Sequence, residues 1–171
     1  MLKKNLTPTI VLACICLVVA LLLAAVNSIT KPIIIKAQEE KVQRALSEVL
    51  PNGSNFVEIS TDGMPDVVTK AFTEDGGGYV FQMTVTGYKP GLIVMCGIDA
   101  DGKISGAKYI ASNETLSAEV GLGDKFVGFD KDSINVDIIA GPTAKLTTKA
   151  YYKAIEAALD AYEFIKEDSV R

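Results

Sequence analysis

The N-terminal part of the chain is uniformly apolar. Asn5–Thr30 contains no charged residue, and Ile10–Val26 has no polar side chain apart from the thiols of Cys14 and Cys16. A helix rises about 1.5 Å per residue, so roughly 20 residues cross a hydrocarbon core about 30 Å thick. The pattern therefore predicts one retained transmembrane helix from about Pro8 to Ser28.

Two other interpretations of this run stay open. A cleaved signal peptide is the main alternative, although Ala25–Thr30 offers no small-x-small cleavage site. Val11–Cys14 resembles a lipoprotein cleavage box, although most of the apolar run follows Cys14 instead of ending there.

The charges on either side of the run bear on the orientation. Lys3 and Lys4 precede it, and Lys31 and Lys36 follow it, so the positive-inside count is nearly balanced. A short basic head is easily retained, whereas a long domain is translocated largely regardless of its charge. We expect a single-pass protein of the cell membrane, with its N-terminus inside and its domain on the extracytoplasmic side.

The apolar spacing changes after the span. Residues 36–50 carry apolar side chains at the spacing of an amphipathic helix, and Pro51–Gly53 would stop that helix. Short runs rich in Val, Ile, Thr and Tyr follow, separated by turn signals such as Asp101-Gly102. They predict strands at Phe56–Ser60, Val67–Phe72, Tyr79–Thr86, Gly91–Ile98, Ile104–Ala111 and Ile134–Ile139. The apolar stripe near the C-terminus predicts a final helix over about Thr147–Lys166.

These elements predict an α+β fold. An N-terminal transmembrane helix would precede a mainly antiparallel twisted sheet with helices packed on it. We expect an anchor at residues 1–30, a connecting helix at 31–53 and the α+β domain at 54–171.

Composition removes several kinds of chemistry. The chain has no His, which excludes His-based triads, His metal sites and a His proton shuttle. Only Cys96 lies outside the apolar run, so the domain can form neither an internal disulfide nor a cysteine-only metal site, and no metal site is predicted. There are 17 Lys and Arg against 21 Asp and Glu, without a long basic stripe, so nucleic acid is not an expected partner. A protein whose cofactor supplies the chemistry fits what remains.

One loop, Ser112–Lys125, carries candidate binding residues. It contains Glu114, Thr115 and the run Gly121-Leu122-Gly123. Glycines would let the backbone approach a flat ligand, although a plain surface loop has the same composition.

A second loop, Asp137–Lys149, opens the final helix. It contains Gly141 and three threonines, Thr143, Thr147 and Thr148. Helix N-termini present free N–H groups and a partial positive charge, which bind phosphate well. The alternative is that Thr147 or Thr148 is an ordinary N-cap.

A series of short motifs runs in one order through nearly the whole chain. It comprises Thr30-Lys31-Pro32, Val49-Leu50-Pro51, Gly87–Ile93, Gly97–Ile104, Glu114-Thr115, Gly121–Lys125 and the Gly-x-Thr segment Gly141–Thr143. This order resembles the G subunit of the Rnf ion-translocating ferredoxin:NAD oxidoreductase complex. It is more distantly similar to the C subunit of the sodium-pumping NADH:quinone oxidoreductase.

The resemblance implies a flavin-binding domain and a role in electron transfer, as a redox subunit and not as an independent enzyme. In this family FMN is linked covalently to a Thr through a phosphodiester, which a separate flavin transferase makes from FAD. The implied partners are integral membrane redox subunits of the complex, the flavin transferase during maturation, and membrane lipid. Glu114, Thr115, Gly121, Leu122 and Gly123 are the implied cofactor-binding residues of the first loop.

Two departures from the family pattern bear on the linkage. Residues 116–120 separate the Glu-Thr pair from Gly121, where the family continues directly into Pro-Gly-Leu-Gly. The flavinylation motif, Ser/Thr-Gly-Ala-Thr-x-Thr/Ser, matches Ala140–Ala144, which would put Lys145, a residue without a hydroxyl, at the acceptor position. With a two-residue insertion the end of the motif fits Leu146-Thr147-Thr148, which makes Thr147 the acceptor. Thr148 and Thr143 are the alternative acceptors. A non-redox assembly subunit and an extracytoplasmic ligand-binding domain are the alternative functions.

Overall fold

The computed structural model describes residues 6–113, 120–139 and 145–168. The chain divides into two compact units between Lys41 and Val42. Two long helices, five strands and short 3-10 helices make up the described residues. They are α1 (Leu6–Val49), β1 (Val57–Ile59), β2 (Val68–Thr73), β3 (Tyr79–Thr86), β4 (Pro90–Ile98), β5 (Ile104–Ala111), the 3-10 helices Gly123–Phe126 and Val136–Ile139, and α2 (Lys145–Asp168).

The first unit consists of the apolar part of α1. The large aliphatic side chains between Ile10 and Ile35 are exposed, and the most apolar window has a mean hydropathy of 3.1. The hydroxyls of Ser28 and Thr30 donate hydrogen bonds to carbonyls one turn earlier, at 2.9 and 2.7 Å, which satisfies them within the helix. The helix is long and apolar enough to span a membrane, as predicted, and it continues through Pro32 into the second unit.

The second unit is built on an antiparallel sheet in the order β1-β2-β3-β4-β5, in which each strand pairs with its neighbour in sequence. The predicted α+β fold with a mainly antiparallel sheet is confirmed. The bounds of β3 and β5 agree with the predicted ones, because turn residues at each end limit the strands. At Asp101-Gly102 the predicted hairpin forms, with Gly102 at a φ of +83° and its N–H donating to the carbonyl of Asp99 at 3.0 Å.

The prediction of a strand at Ile134–Ile139 is wrong. Residues Val136–Ile139 form a 3-10 helix instead. The side-chain oxygen of Asn135 accepts a hydrogen bond from the N–H of Asp137 at 2.9 Å, and this local bond favours a turn over an extended ladder. The apolar spacing alone could not distinguish these two outcomes.

Alternating side chains of the sheet bury against the two helices. Phe72, Val80 and Met95 point to one face, where they pack with the last turns of α1 around Leu46 and Val49. The opposite face packs on α2, through a cluster that includes Phe81, Met83, Val94, Cys96, Tyr151, Ala154, Ile155, Ala158 and Leu159. The period of two along each strand therefore produces a helix–sheet–helix sandwich within this unit.

The end of α1 lies directly on two glycines of the sheet. Gly97 and Gly106 are paired across β4 and β5. A side-chain carbon at either position would lie 2.4 or 2.8 Å from the carbonyl oxygen of Val49, so only glycine allows this contact. The hydroxyl of Ser105 donates a hydrogen bond to the same oxygen at 2.6 Å. These contacts place the end of α1 beside β5.

Candidate functional site

A cleft of about 460 Å³ lies alongside β5. Small-molecule sites typically occupy about 300–1,000 Å³, so this cleft is large enough for a cofactor-sized ligand. The last turn of α1, strand β5, the segment that follows it and one side chain of α2 form the walls. The lining residues are Glu48, Val49, Ser105, Gly106, Ala107, Lys108, Tyr109, Val120, Gly121, Gly123, Asp124, Val127 and Tyr151.

The wall opposite β5 is held in place by backbone contacts. The N–H of Gly128 donates to the carbonyl of Ile104 at 2.8 Å, and the N–H of Ile104 donates to the carbonyl of Phe129 at 2.9 Å. The segment therefore covers the outer edge of β5, which would otherwise expose unpaired backbone groups. Gly123 brings it still closer, since a side-chain carbon there would lie 1.7 Å from the carbonyl oxygen of Ala107.

The three residues of the predicted Gly-Leu-Gly run have separate roles. Gly121 lines the cleft with a φ of +68°, and no atom of the described residues lies within 4 Å of the position its side-chain carbon would take. Leu122 is buried in the core and anchors the segment. Gly123 lines the cleft and makes the close approach to β5. The two glycines thus leave the backbone of this cleft wall uncovered by side chains, and Leu122 anchors the wall in the core.

The lining of the cleft includes the buried hydroxyl of Tyr151. This side chain is fully buried, and among the described residues its hydroxyl oxygen has no hydrogen-bond partner. Its ring stacks on that of Phe126 with a centroid distance of 5.9 Å and an angle of 11° between the planes. Burial raises the pKa of Tyr151, so the phenol keeps its proton and can act as a hydrogen-bond donor.

The predicted threonines of α2 lie in its first turn. Helix α2 begins at Lys145, two residues before the predicted start, so Thr147 is inside the helix. Thr147 is 2% exposed, whereas Thr148 is partly exposed and its hydroxyl donates to the carbonyl of Lys145 at 3.3 Å. Thr147 and Tyr151 are four residues apart, which places them on the same side of the helix about 6 Å apart along its axis.

The charges at this end of α2 favour an anion. The first turn contains no acidic residue, and the side chains of Lys145 and Lys149 are exposed. The dipole of a helix adds to this positive character at its N-terminus. At the cleft, Lys108 forms an ion pair with Glu48, both of them half exposed, and the carboxylate of Asp124 is exposed.

The remaining predicted site residues are Glu114, Thr115, Gly141 and Thr143, and they lie outside the described residues. Tyr151 lies on the apolar stripe that predicts the final helix, and it is not among the predicted site residues. A hydroxyl-bearing side chain one turn after Thr147, on an otherwise apolar stripe, is the signal that could have identified it. The sequence has no comparable signal that β5 and the end of α1 would line the cleft.

Comparison with known families assigns the chain. Residues 1–49 match the RnfG N-terminal region, and residues 87–160 match the FMN-binding domain. The chain is an RnfG-like subunit. The FMN-binding match includes β4, β5, the Gly-Leu-Gly segment and most of α2, and therefore nearly all of the cleft. No curated protein matches the chain.

The residues present in this RnfG-like subunit fit FMN. The volume of the cleft suits a cofactor, its glycine wall leaves room for a flat ring, and the buried hydroxyl of Tyr151 is a donor without a partner in ranges 6–113, 120–139 and 145–168. The positive first turn of α2 suits a phosphate. The chain is accordingly an FMN-binding subunit of an Rnf-type complex. Its described residues contain one helix that is long and apolar enough to span a membrane.

Proposed function

We propose that this subunit holds FMN in the cleft beside β5 through a phosphodiester to Thr147, and that it transfers electrons between other redox subunits of the complex on the extracytoplasmic side. The observation that carries the proposal is the common helix face of Thr147 and Tyr151. A phosphate attached at Thr147 would be one turn from a hydroxyl that lines the cleft. Bound FMN accepts and releases one or two electrons, which supplies the redox chemistry that the side chains lack.

The first turn of α2 supports the phosphate end of this assignment. The helix dipole and the neighbouring Lys145 and Lys149 would stabilise the negative charge that a phosphodiester retains. Thr147 has the hydroxyl that the linkage requires, whereas Lys145 has none. The glycine-lined wall suits the flat ring system of the flavin, because Gly121 and Gly123 have no side chains that would obstruct it.

The linkage would form by transfer from FAD. The Oγ of Thr147 attacks the phosphorus attached to the ribityl chain, and a new P–O bond forms as the pyrophosphate bond breaks. AMP leaves, and the hydroxyl proton passes to a base of the transferase. Because Thr147 is only 2% exposed, the transferase must act before the first turn of α2 packs or while it is open.

In-gel flavin fluorescence tests the proposal. The full chain is produced together with a flavin transferase, denatured in SDS and viewed under ultraviolet light. Wild type and Thr148→Ala should give fluorescent bands, Thr147→Ala should give a dark band, and Thr147→Ser should recover part of the signal. A fluorescent Thr147→Ala band would overturn the acceptor assignment. A dark wild-type band beside an active transferase would favour the assembly subunit without covalent flavin.

A further inference from the structure

The hydroxyl of Tyr151 has no structural role in the described residues. Its ring fills the space between α2 and the Gly123–Phe126 helix and stacks on Phe126, and a phenylalanine would fill the same space. The hydroxyl itself is buried, and it has no hydrogen-bond partner in the part of the chain that the structure describes. An unpaired buried polar group costs free energy, so the position carries a stability penalty that its packing does not require.

Tyr151 lines the cleft next to Gly123. Its hydroxyl oxygen lies 2.9 Å from the position that a side-chain carbon on Gly123 would take. The other tyrosine of this turn, Tyr152, is partly exposed and does not line the cleft. Of these two adjacent tyrosines, Tyr151 lines the cleft and Tyr152 does not, so Tyr152 is a suitable control.

We infer that the Tyr151 hydroxyl donates a hydrogen bond to an acceptor on the polar edge of the FMN ring. The inference rests on the proposed function, since it requires flavin in the cleft. The position favours the ring over the phosphate, because Val120 and Val127 line the cleft together with Tyr151, while the basic Lys145 lies more than one turn away at the start of α2. Binding would satisfy the orphaned hydroxyl and recover the stability that it costs.

A thermodynamic cycle on the full chain in detergent tests this. Wild type, Tyr151→Phe and the matched control Tyr152→Phe are each produced with and without a flavin transferase. The thermal midpoint of the second unit is followed by circular dichroism. Without flavin, Tyr151→Phe should melt about 4 °C above wild type, because an unsatisfied buried hydroxyl has been removed. Flavin attachment should raise the thermal midpoint of Tyr151→Phe less than it raises that of wild type, and this difference should also be about 4 °C.

Each outcome decides the inference. A smaller flavin-induced gain in Tyr151→Phe, with an unchanged gain in Tyr152→Phe, supports the hydrogen bond. Equal gains in all three proteins would overturn it and leave the proposed function intact. Failure of wild type to load any flavin, beside a transferase that modifies its own substrate, would overturn the inference together with the proposed function.

Discussion

The carbonyl oxygen of Ala107 lies 1.7 Å from the point where Gly123 would carry a side-chain carbon. No other residue type can occupy this position without moving the segment away from β5, since the contact is backbone and cannot rotate aside. The distance between these two residues thereby sets the width of the cleft at its base. It also explains why a glycine is needed here for packing and not for chain flexibility.

Substitution of the two glycines of the cleft should distinguish the cost of steric overlap from the cost of an unfavourable backbone conformation. Gly123→Ala should lower the free energy of unfolding by about 2 kcal/mol or more, because the added carbon overpacks a backbone contact. Gly121→Ala should cost about 1 kcal/mol, since its φ of +68° disfavours a side chain but the space around it is open. Urea unfolding of the second unit measures both. Equal losses would contradict the assigned contact.

Local rules explain how much of this fold the sequence could predict. Strand β3 was predicted with its observed bounds, because alternation and flanking turn residues are properties of neighbouring residues. The segment Ile134–Ile139 was not, since a hydrogen bond from the N–H of Asp137 to the side-chain oxygen of Asn135 favours the 3-10 helix over a strand. The cleft depends on contacts between Tyr151, Gly123 and β5, which are far apart in sequence and carry no local signature.

Glu74 should make the stability of the folded protein depend on pH in the acidic range. Its carboxylate accepts hydrogen bonds from the N–H groups of Gly76 and Gly78 at 2.8 and 2.9 Å, and these bonds hold the pKa of Glu74 below its ordinary value of 4.5. A lowered pKa in the folded state adds stability above the unfolded pKa, and this contribution is lost as the pH falls through the folded pKa.

The corresponding variant is Glu74→Gln. It should be less stable than wild type near neutral pH, and the difference should shrink as the pH falls below about 4.5. Urea midpoints of the second unit, measured across this range, test the sign. A difference that stays constant with pH, or that grows on acidification, would refute the role of the ionised carboxylate.

Cys96 should be unreactive in the folded protein. Its side chain is buried in the core, and burial raises the pKa of the Cys96 thiol to about 12, so almost none of it is thiolate near pH 8. With Cys14 and Cys16 both changed to Ser, Cys96 is the sole thiol of the chain. Iodoacetamide should then label the protein only after denaturation in urea. Rapid labelling of the native variant would show that the core opens readily at β4.

Proteolysis at the β3–β4 hairpin can determine the orientation of the chain in the membrane. Tyr88 is 66% exposed between these strands and is a suitable site for chymotrypsin. If the domain is extracytoplasmic, chymotrypsin added to intact spheroplasts should cut after Tyr88, and Tyr88→Ala should remove this cut. Protection of the wild-type chain in spheroplasts, with cleavage appearing only after lysis, would place the domain in the cytoplasm instead.

Peptide mass spectrometry tests the central claim, covalent attachment of FMN at Thr147, most directly. Trypsin cleavage after Lys145 and Lys149 releases a four-residue peptide with Thr147 and Thr148, and leaves Thr143 on a different peptide. In chain produced with an active flavin transferase, the FMN mass should occur on the four-residue peptide, and fragment ions should assign it to Thr147. FMN on Thr143 or Thr148, or an unmodified peptide from such a preparation, would contradict the account.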